Sequence, residues 1–262
     1  IWRCLLKPGL KTQKAGGFSQ PDEYQATVLE KTVSGEYIVR FELSRETSVS
    51  DLAERLGYMP LPPYVRRPAE ALDEERYETV YADPAKRTAT AAPTAGLHFT
   101  HGLLEELIAR GHSIHDLTLS VGLGTFRPIE TEDTDDHEMH PESYILPPET
   151  KALLRDPTPS RLAIGTTTVR AIEHYLSQEV DPAPDEATIA EADLFIHPPH
   201  EFLGVDKLLT NFHLPASTLL CLVAAFLNPS GRDGLKLLKE LYAEALAQGY
   251  RFYSYGDAML VL

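Results

Sequence analysis

The chain has 262 residues, of which 43% are hydrophobic and 24% are charged, a globular composition that excludes a disordered tail or a fibrous repeat. Its 24 Lys and Arg against 39 Asp and Glu give a net charge of −15, so a nucleic acid must be bound by basic residues gathered on one face. Two cysteines exclude a disulfide framework and indicate a reducing, cytoplasmic location, and no apolar run is long enough to cross a membrane. The chain starts at Ile1 without a methionine and inside a strand pattern, which predicts an N-terminal piece upstream.

Residues 1–57 are predicted to form part of a small antiparallel β-barrel domain. Apolar and polar residues alternate at 24–28, and the same period of two returns at 37–43 after a Ser-Gly turn. Ser48 is predicted to cap a short helix that ends at Gly57.

Residues 58–262 are predicted to form a three-layer α/β/α domain beyond a Pro-rich boundary, so the fold class is α/β or α+β. The predicted helices are 100–111, 165–175, 217–227 and 234–248, and the predicted strands are 117–121, 161–164, 194–196, 208–210 and 258–262. The apolar side chains of the first of these helices are expected to face inward. The acidic, Pro-containing segment 177–191 is expected to be a surface loop.

Ligands of α/β layers bind beyond the carboxyl ends of strands, and residues 91–100 are the first candidate for such a place. Gly96 lets backbone approach a ligand, and His98 precedes a helix N-terminus that favours a negative group. A Pro/Gly turn with a capping threonine has the same pattern.

A second candidate, residues 120–128, follows a strand and contains Gly122, Gly124, Thr125 and Arg127. It is not a dinucleotide fingerprint, because Arg127 stands where a third glycine is required. The loop could approach an adenosine or a phosphate, with Arg127 as a bidentate donor, or it could be a β-bulge with a solvated arginine.

Histidines suggest a third site at His137, His140 and Glu142, with His197 and His200 further along the chain. Their spacing fixes no metal geometry, so acid/base or hydrogen-bonding roles remain open beside metal binding.

The remaining candidates join strands to helices. Residues 164–170 and 211–218 both lead into helix N-termini through hydroxyl-bearing residues, which could seat an anion or a carboxylate or act as ordinary caps. Asp257 lies in the turn 253–259 before the last strand, where turn capping is the alternative.

In chain order these segments resemble the S-adenosylmethionine:tRNA ribosyltransferase-isomerase family of queuosine biosynthesis. The matching segments are AAPTAGLHFT (91–100), VGLGTFRP (121–128), HEMHPE (137–142), GTT (165–167), TNFHLP (210–215) and YSYGDAM (253–259), together with PLPPY (60–64) and ERY (75–77). The chain departs from the family at 178–191, which lacks the expected glycines, and it lacks the family's N-terminal portion.

The resemblance implies transfer and isomerisation of the ribosyl group of S-adenosylmethionine onto 7-aminomethyl-7-deazaguanine at the wobble position of a tRNA with a GUN anticodon. Epoxyqueuosine, adenine and methionine are then the products. S-adenosylmethionine is the co-substrate, and neither a metal nor a redox cofactor is expected. The protein is expected to be a cytoplasmic monomer without membrane contact.

This chemistry requires an acid or a base near neutral pH, which suits histidine. Under the resemblance, His98, His140 and His213 are candidate bases, and Asp257 or Glu142 orients an imidazole or accepts from the amine. The predicted substrate-binding residues are Gly96, Gly122, Gly124, Thr125, Arg127, Gly165, Thr166, Thr167, Arg170, Asn211 and Tyr255. The candidates for a basic face toward tRNA are Arg66, Arg67, Lys86, Arg87 and Arg170, with scattered solvated charges as the alternative.

Two other classes remain open at this point. A metal-dependent hydrolase using the histidines predicts stoichiometric metal. A non-catalytic RNA-binding remnant predicts salt-dependent tRNA binding without adenine release.

Overall fold

A computed structural model of the chain shows a mixed α/β fold. It describes residues 1–32, 35–45, 48–62, 64–86, 89, 91–122, 129, 131, 137, 139–178, 181 and 183–262. The backbone divides into two compact units, residues 1–59 and residues 60–262. Among the described residues, no helix combines the length and the apolarity that a membrane crossing requires.

The first unit is built on one antiparallel sheet. Its elements are β1 (Trp2–Cys4), α1 (Gly9–Lys14), β2 (Gly17–Gln20), β3 (Tyr24–Lys31), β4 (Tyr37–Leu43) and α2 (Val49–Leu56). The strands lie in the order β1-β4-β3-β2, and Ala26, Tyr37 and Val39 are buried on its core face. The alternation predicted at 24–28 and 37–43 is confirmed in β3 and β4. The predicted cap is also confirmed, because the Ser48 hydroxyl accepts from the N–H of Asp51 at 3.1 Å.

The second unit contains most of the helices. Its elements are α3 (Ala71–Arg76), α4 (His101–Ala109), β5 (Thr118–Ser120), β6 (Glu142–Leu146), α5 (Pro148–Arg155), β7 (Leu162–Ile164), α6 (Thr166–Leu176), β8 (Thr188–Ala192), β9 (Lys207–Asn211), α7 (Thr218–Leu227), α8 (Gly234–Ala247) and β10 (Ala258–Val261), with short 3₁₀ helices at Pro84–Lys86 and Thr94–His98. Its main core packs α6, α7 and α8 with β7 and β9, and contains the fully buried Val169, Leu208 and Val223.

Two three-stranded sheets organise this unit. One has the order β10-β9-β7, in which β7 and β9 are parallel and β10 is antiparallel to β9. The other has the order β5-β6-β8 and is antiparallel throughout. Because β7 and β9 are parallel, their carboxyl ends lie at the same sheet edge, which is where an α/β layer places a ligand.

Two sequence predictions were wrong. The strand expected at 194–196 is absent from the described segment, and the strand lies instead at Thr188–Ala192, inside the segment expected to be a loop. The apolar side chains of α4 do not face a core, since Leu103 and Ile108 are 39% and 59% exposed. Among the apolar residues of α8, Leu238 and Ala245 are buried whereas Leu246 is 63% exposed.

Candidate functional site

A cavity lies at the carboxyl ends of β7 and β9. It encloses about 760 Å³, including the part that is open to solvent. Its described lining contains five threonines, two serines, two tyrosines, one asparagine and one histidine, and no Asp, Glu, Lys or Arg. Such a wall is neutral and rich in hydroxyl groups, which suits a ligand with several hydrogen-bonding groups.

One wall is the turn from β7 into α6. Gly165 makes this turn with φ +91° and ψ 149°, a conformation that L side chains rarely adopt. Its N–H donates to the carbonyl of Leu209 on β9 at 2.8 Å, which fixes the turn at the sheet edge. Thr166 then begins α6 and is 6% exposed. The free N–H groups of this first turn favour an anionic ligand group.

A second wall is the end of β9. The buried Asn211 accepts a hydrogen bond from the Thr94 hydroxyl at 2.9 Å through its side-chain oxygen. Its side-chain nitrogen lies 3.4 Å from Nε2 of His98. Asn211 therefore holds the 3₁₀ segment Thr94–His98 against β9, while His98 itself is exposed.

His213 lines the cavity two residues beyond β9. Its Nε2 lies 2.8 Å from the Thr210 hydroxyl, and its backbone N–H donates to the Tyr242 hydroxyl at 2.9 Å. Burial lowers the pKa of His213 to about 4. The imidazole is therefore neutral at physiological pH, with one ring nitrogen free of a proton, and it can accept or relay a proton without first losing one.

The loop before β10 closes the cavity from the other side. Tyr253 has φ +74°, and its N–H donates to the carbonyl of Phe212 at 2.9 Å. The Ser254 hydroxyl hydrogen-bonds to the Tyr64 hydroxyl, and the rings of Tyr64 and Tyr253 lie 4.9 Å apart. The cavity wall therefore contains two aromatic rings beside its hydroxyl groups. Aromatic faces attract a cationic ligand group.

Tyr255 and Asp257 lie in the same loop but bind residues outside the cavity lining. The Tyr255 hydroxyl donates to Asp73 at 2.8 Å, and the Arg67 guanidinium binds the same carboxylate through two bonds of 2.6 and 2.7 Å. The hydrogen bonds from Arg67 hold the pKa of Asp73 well below its usual range, whereas burial and the bond to Asp73 raise the pKa of Tyr255 to about 12. Asp257 accepts from the N–H of Arg251 at 2.7 Å, and this bond lowers the pKa of Asp257.

Glu142 and Arg170 form a buried ion pair away from the cavity. Nη1 of Arg170 lies 2.8 Å from Oε2 of Glu142, and the two side chains are 2% and 5% exposed. The guanidinium also donates to the carbonyls of His140, Ala192 and Leu194 at 3.3, 2.8 and 3.1 Å. Arg170 therefore ties the chain before β6 and the chain after β8 to α6.

The structure brings five of the predicted site residues to the cavity: Gly165, Thr166, Thr167, Asn211 and His213. It does not bring Gly96, His98, Gly122, His140, Glu142, Arg170, Tyr255 or Asp257 to the cavity wall. Gly96 packs against Tyr81 and Thr79, with no room for a Cβ atom. Gly124, Thr125 and Arg127 lie outside the described residues. The roles assigned to all of these residues remain predictions.

Sequence reasoning missed several lining residues that stand inside the matched segments: Tyr64, Thr94, Thr210, Tyr253 and Ser254. The signal was present, since each of these five residues lies within two residues of a predicted site residue or at the domain boundary. A hydroxyl group in a turn is too common to be singled out without the fold.

A parallel strand pair with a neutral, hydroxyl-rich cavity at its carboxyl ends is the arrangement in which α/β proteins bind polar small molecules. The model of the queuosine biosynthesis protein family matches residues 1–261, and the chain belongs to this family.

Relatives and a solved structure agree with this assignment. The S-adenosylmethionine:tRNA ribosyltransferase-isomerase of Symbiobacterium thermophilum is 45% identical, over 100% of this chain and 73% of the relative. The protein of the same name from Geobacter sulfurreducens is 43% identical, over 99% of this chain and 73% of the relative. The crystal structure of S-adenosylmethionine tRNA ribosyltransferase from Thermotoga maritima is similar with a TM-score of 0.51 and 33% identity, and the match covers 100% of this chain and 70% of that one.

Proposed function

We propose that this chain catalyses the S-adenosylmethionine:tRNA ribosyltransferase-isomerase reaction. The ribosyl group of S-adenosylmethionine is transferred to 7-aminomethyl-7-deazaguanine at the tRNA wobble position and isomerised there. This yields epoxyqueuosine and releases adenine and methionine. The observation that carries the proposal is the cavity at the ends of β7 and β9, to which Gly165, Thr166, Thr167, Asn211 and His213 all contribute. The comparisons give no support to a metal-dependent hydrolase or to a non-catalytic RNA-binding remnant.

The cavity suits S-adenosylmethionine group by group. The ribose hydroxyls and the adenine edge require neutral hydrogen-bonding partners, which threonines, serines and Asn211 supply. The sulfonium is a cation without hydrogen-bond donors, and the rings of Tyr64 and Tyr253 are the described lining groups that attract it. The amino-acid carboxylate fits the first turn of α6, where Thr166 and Thr167 present N–H and hydroxyl groups.

Binding of the substrate carboxylate at the first turn of α6 predicts the effect of Gly165→Ala. An alanine at φ +91° strains the backbone, so we expect a loss of about 1–3 kcal/mol in the free energy of unfolding. Misalignment of the Thr166 N–H should also raise KM for S-adenosylmethionine about tenfold, since hydrogen bonds to a charged group are lost. Urea unfolding and adenine-release kinetics measure the two effects.

Gly111→Ala is the matched control, because Gly111 has φ +88° at the end of α4 and an added Cβ there meets no atom within 4 Å. It should lose similar stability and keep the KM of the wild-type protein. If Gly165→Ala and Gly111→Ala have the same KM for S-adenosylmethionine, the substrate carboxylate does not bind at the first turn of α6.

His213 is the proposed base. The reaction removes a proton from the carbon 5′ next to the sulfonium, expels adenine and needs the aminomethyl nitrogen as a free amine. His213 is the one imidazole in the described cavity lining. Its lowered pKa keeps it in the proton-accepting form, and its Thr210 contact fixes the ring. His98 and His140 remain candidates for a proton transfer outside the cavity wall.

We extend the proposal to the domains of the protein and to its partners. Residues 1–57 belong to a small antiparallel barrel, and residues 58–262 form a three-layer catalytic domain. The tRNA has a GUN anticodon, and the enzyme is a cytoplasmic monomer that needs no metal. These points rest on the family resemblance and on the tRNA substrate named for the relatives.

Adenine release tests the proposal directly. The chain is incubated with S-adenosylmethionine, with and without an anticodon stem-loop that carries 7-aminomethyl-7-deazaguanine. We expect adenine release only with the modified RNA, together with a gain in RNA mass that matches the transferred ribosyl group. Release without RNA, or a mass gain without adenine, would contradict the proposed reaction.

A further inference from the structure

The charge of the protein is divided unequally between its two units. Residues 1–59 contain eight Lys or Arg and eight Asp or Glu, so the whole net charge of −15 falls on residues 60–262. Within the first unit the cations are again gathered at one end. The first 21 residues contain four cations, Arg3, Lys7, Lys11 and Lys14, and no carboxylate side chain.

Three of these cations are exposed and have no ion-pair partner among the described residues: Lys7, Lys11 and Lys14. Lys11 and Lys14 lie three residues apart on α1, and therefore on the same helix face, with Lys7 two residues before the helix. The other cations of the unit are mostly engaged. Arg45 and Arg55 both pair with Glu23, Arg3 pairs with Glu36 at 3.8 Å, and Lys31 lies over the ring of Tyr37.

The basic face predicted in the second unit is largely neutralised. Arg67 is bound by Asp73, Arg170 by Glu142 and Lys86 by Asp83 at 3.6 Å. Arg66 is exposed, and Arg87 lies outside the described residues. The second unit also has the whole net charge of −15, so its overall field repels a polyanion.

We propose that Lys7, Lys11 and Lys14 form a phosphate-binding patch that contacts the sugar-phosphate backbone of the tRNA. This inference rests on the proposed function for the identity of the RNA. Flexible ammonium groups on one helix face neutralise successive phosphates without reading bases, so the patch contributes affinity and orientation and not sequence recognition. The patch also provides the local attraction that a chain of charge −15 needs in order to bind RNA.

The test compares two charge-matched double variants of the whole chain. K11Q/K14Q removes the pair on α1. K236Q/K239Q removes two exposed lysines with the same i,i+3 spacing on α8 in the second unit. The dissociation constant of an unmodified full-length tRNA transcript with a GUN anticodon is measured for each protein between 50 and 200 mM salt, on the order of the range over which phosphate contacts change affinity strongly.

We expect K11Q/K14Q to reduce the slope of log K against log salt by roughly 1.4 to 1.8, since each phosphate contact contributes about 0.7 to 0.9. Its affinity at the lower salt should fall at least about tenfold. In the adenine-release assay, KM for the RNA should rise while kcat at saturating RNA stays the same. K236Q/K239Q should leave the slope and KM unchanged, and K7Q should lower the slope by about half as much as the double variant.

The proposal is overturned if K11Q/K14Q leaves the slope unchanged, if the two double variants change it equally, or if the wild-type protein shows no salt-dependent binding. A role of these lysines in stabilising α1 alone would not change the salt slope. If the slope falls selectively but the wild-type protein releases no adenine, the RNA patch stands and the proposed reaction fails, so the two failures are distinguishable.

Discussion

Replacing His213 by glutamine should lower kcat for adenine release by about 10² to 10⁴-fold, the range that a general acid or base contributes. Glutamine retains a hydrogen-bonding group that can reach Thr210 but has no ring nitrogen to accept a proton. KM for S-adenosylmethionine should change by only a few-fold, because the surrounding threonines and Asn211 are untouched. Steady-state kinetics with the modified stem-loop measure both parameters.

His112→Gln is the control, since His112 is exposed just beyond α4 and away from the cavity. It should retain the activity of the wild-type protein. A His213→Gln protein with unchanged kcat would remove His213 as the base and would leave His98 and His140 as the candidates to be replaced next.

His213→Gln should also change how the free energy of unfolding depends on pH. The pKa of His213 is about 4 in the folded protein and about 6.5 in the unfolded chain, so the unfolded state binds more protons between these values. The free energy of unfolding therefore decreases as the pH falls from 6.5 to 4, because the unfolded chain takes up a proton that the buried ring does not. The free energy of unfolding of His213→Gln should fall less steeply across this window than that of the wild-type protein, while the two should run in parallel above pH 7.

Replacing Arg170 by methionine should reduce the free energy of unfolding by about 3–5 kcal/mol, because it removes one partner of the buried ion pair with Glu142. The carbonyls of His140, Ala192 and Leu194 lose their donors at the same time. Urea unfolding followed by circular dichroism measures the loss. Circular dichroism is preferred because the one tryptophan, Trp2, lies in the first unit.

Arg110→Met provides the comparison with an exposed ion pair. Arg110 lies 2.5 Å from Glu106 on the surface of α4, and breaking this pair should change stability by no more than about 1 kcal/mol. The double variant E142Q/R170M should recover part of the loss, because the buried carboxylate is replaced by a neutral amide. Unchanged stability in Arg170→Met, combined with a higher KM for S-adenosylmethionine, would instead support the predicted role of Arg170 as a substrate ligand.

Much of the architecture around the cavity could be predicted from the sequence. The β7-Gly165-α6 and β9-Ser217-α7 connections have local signals, namely an apolar run, a glycine or hydroxyl turn, and a helix pattern. Those signals are confirmed, since α6 begins directly after Gly165 and α7 directly after Ser217, whose hydroxyl caps it. Such signals are reliable because the residues that create them are neighbours in the chain.

The errors arose where the structure of a segment depends on residues that are far away in the chain. The inward positions of β8 are Thr188, Ala190 and Ala192, which are too small to indicate a strand, while its one large apolar residue, Ile189, is 76% exposed. On α4 the helical period correctly predicts which residues share a face, but periodicity does not say whether another element covers that face.

The site was predictable in its segments but not in its individual contacts. The turn 253–259 was singled out for Asp257, whereas the structure lines the cavity with Tyr253 and Ser254. Tyr255 binds Asp73, which is 182 residues away in the chain. A sequence pattern can mark a loop as unusual, but the direction of each side chain depends on backbone angles such as the positive φ of Tyr253.

The cavity draws its walls from segments near residues 94, 166, 211 and 253, which are separated by more than 150 positions from first to last. No local stretch can therefore preform the binding site, and long loops must close before it exists. Ligand affinity should then emerge late in refolding, after the helices have gained their dichroism signal. A substrate that binds the finished cavity would hold all four segments together and raise the transition temperature in a concentration-dependent way.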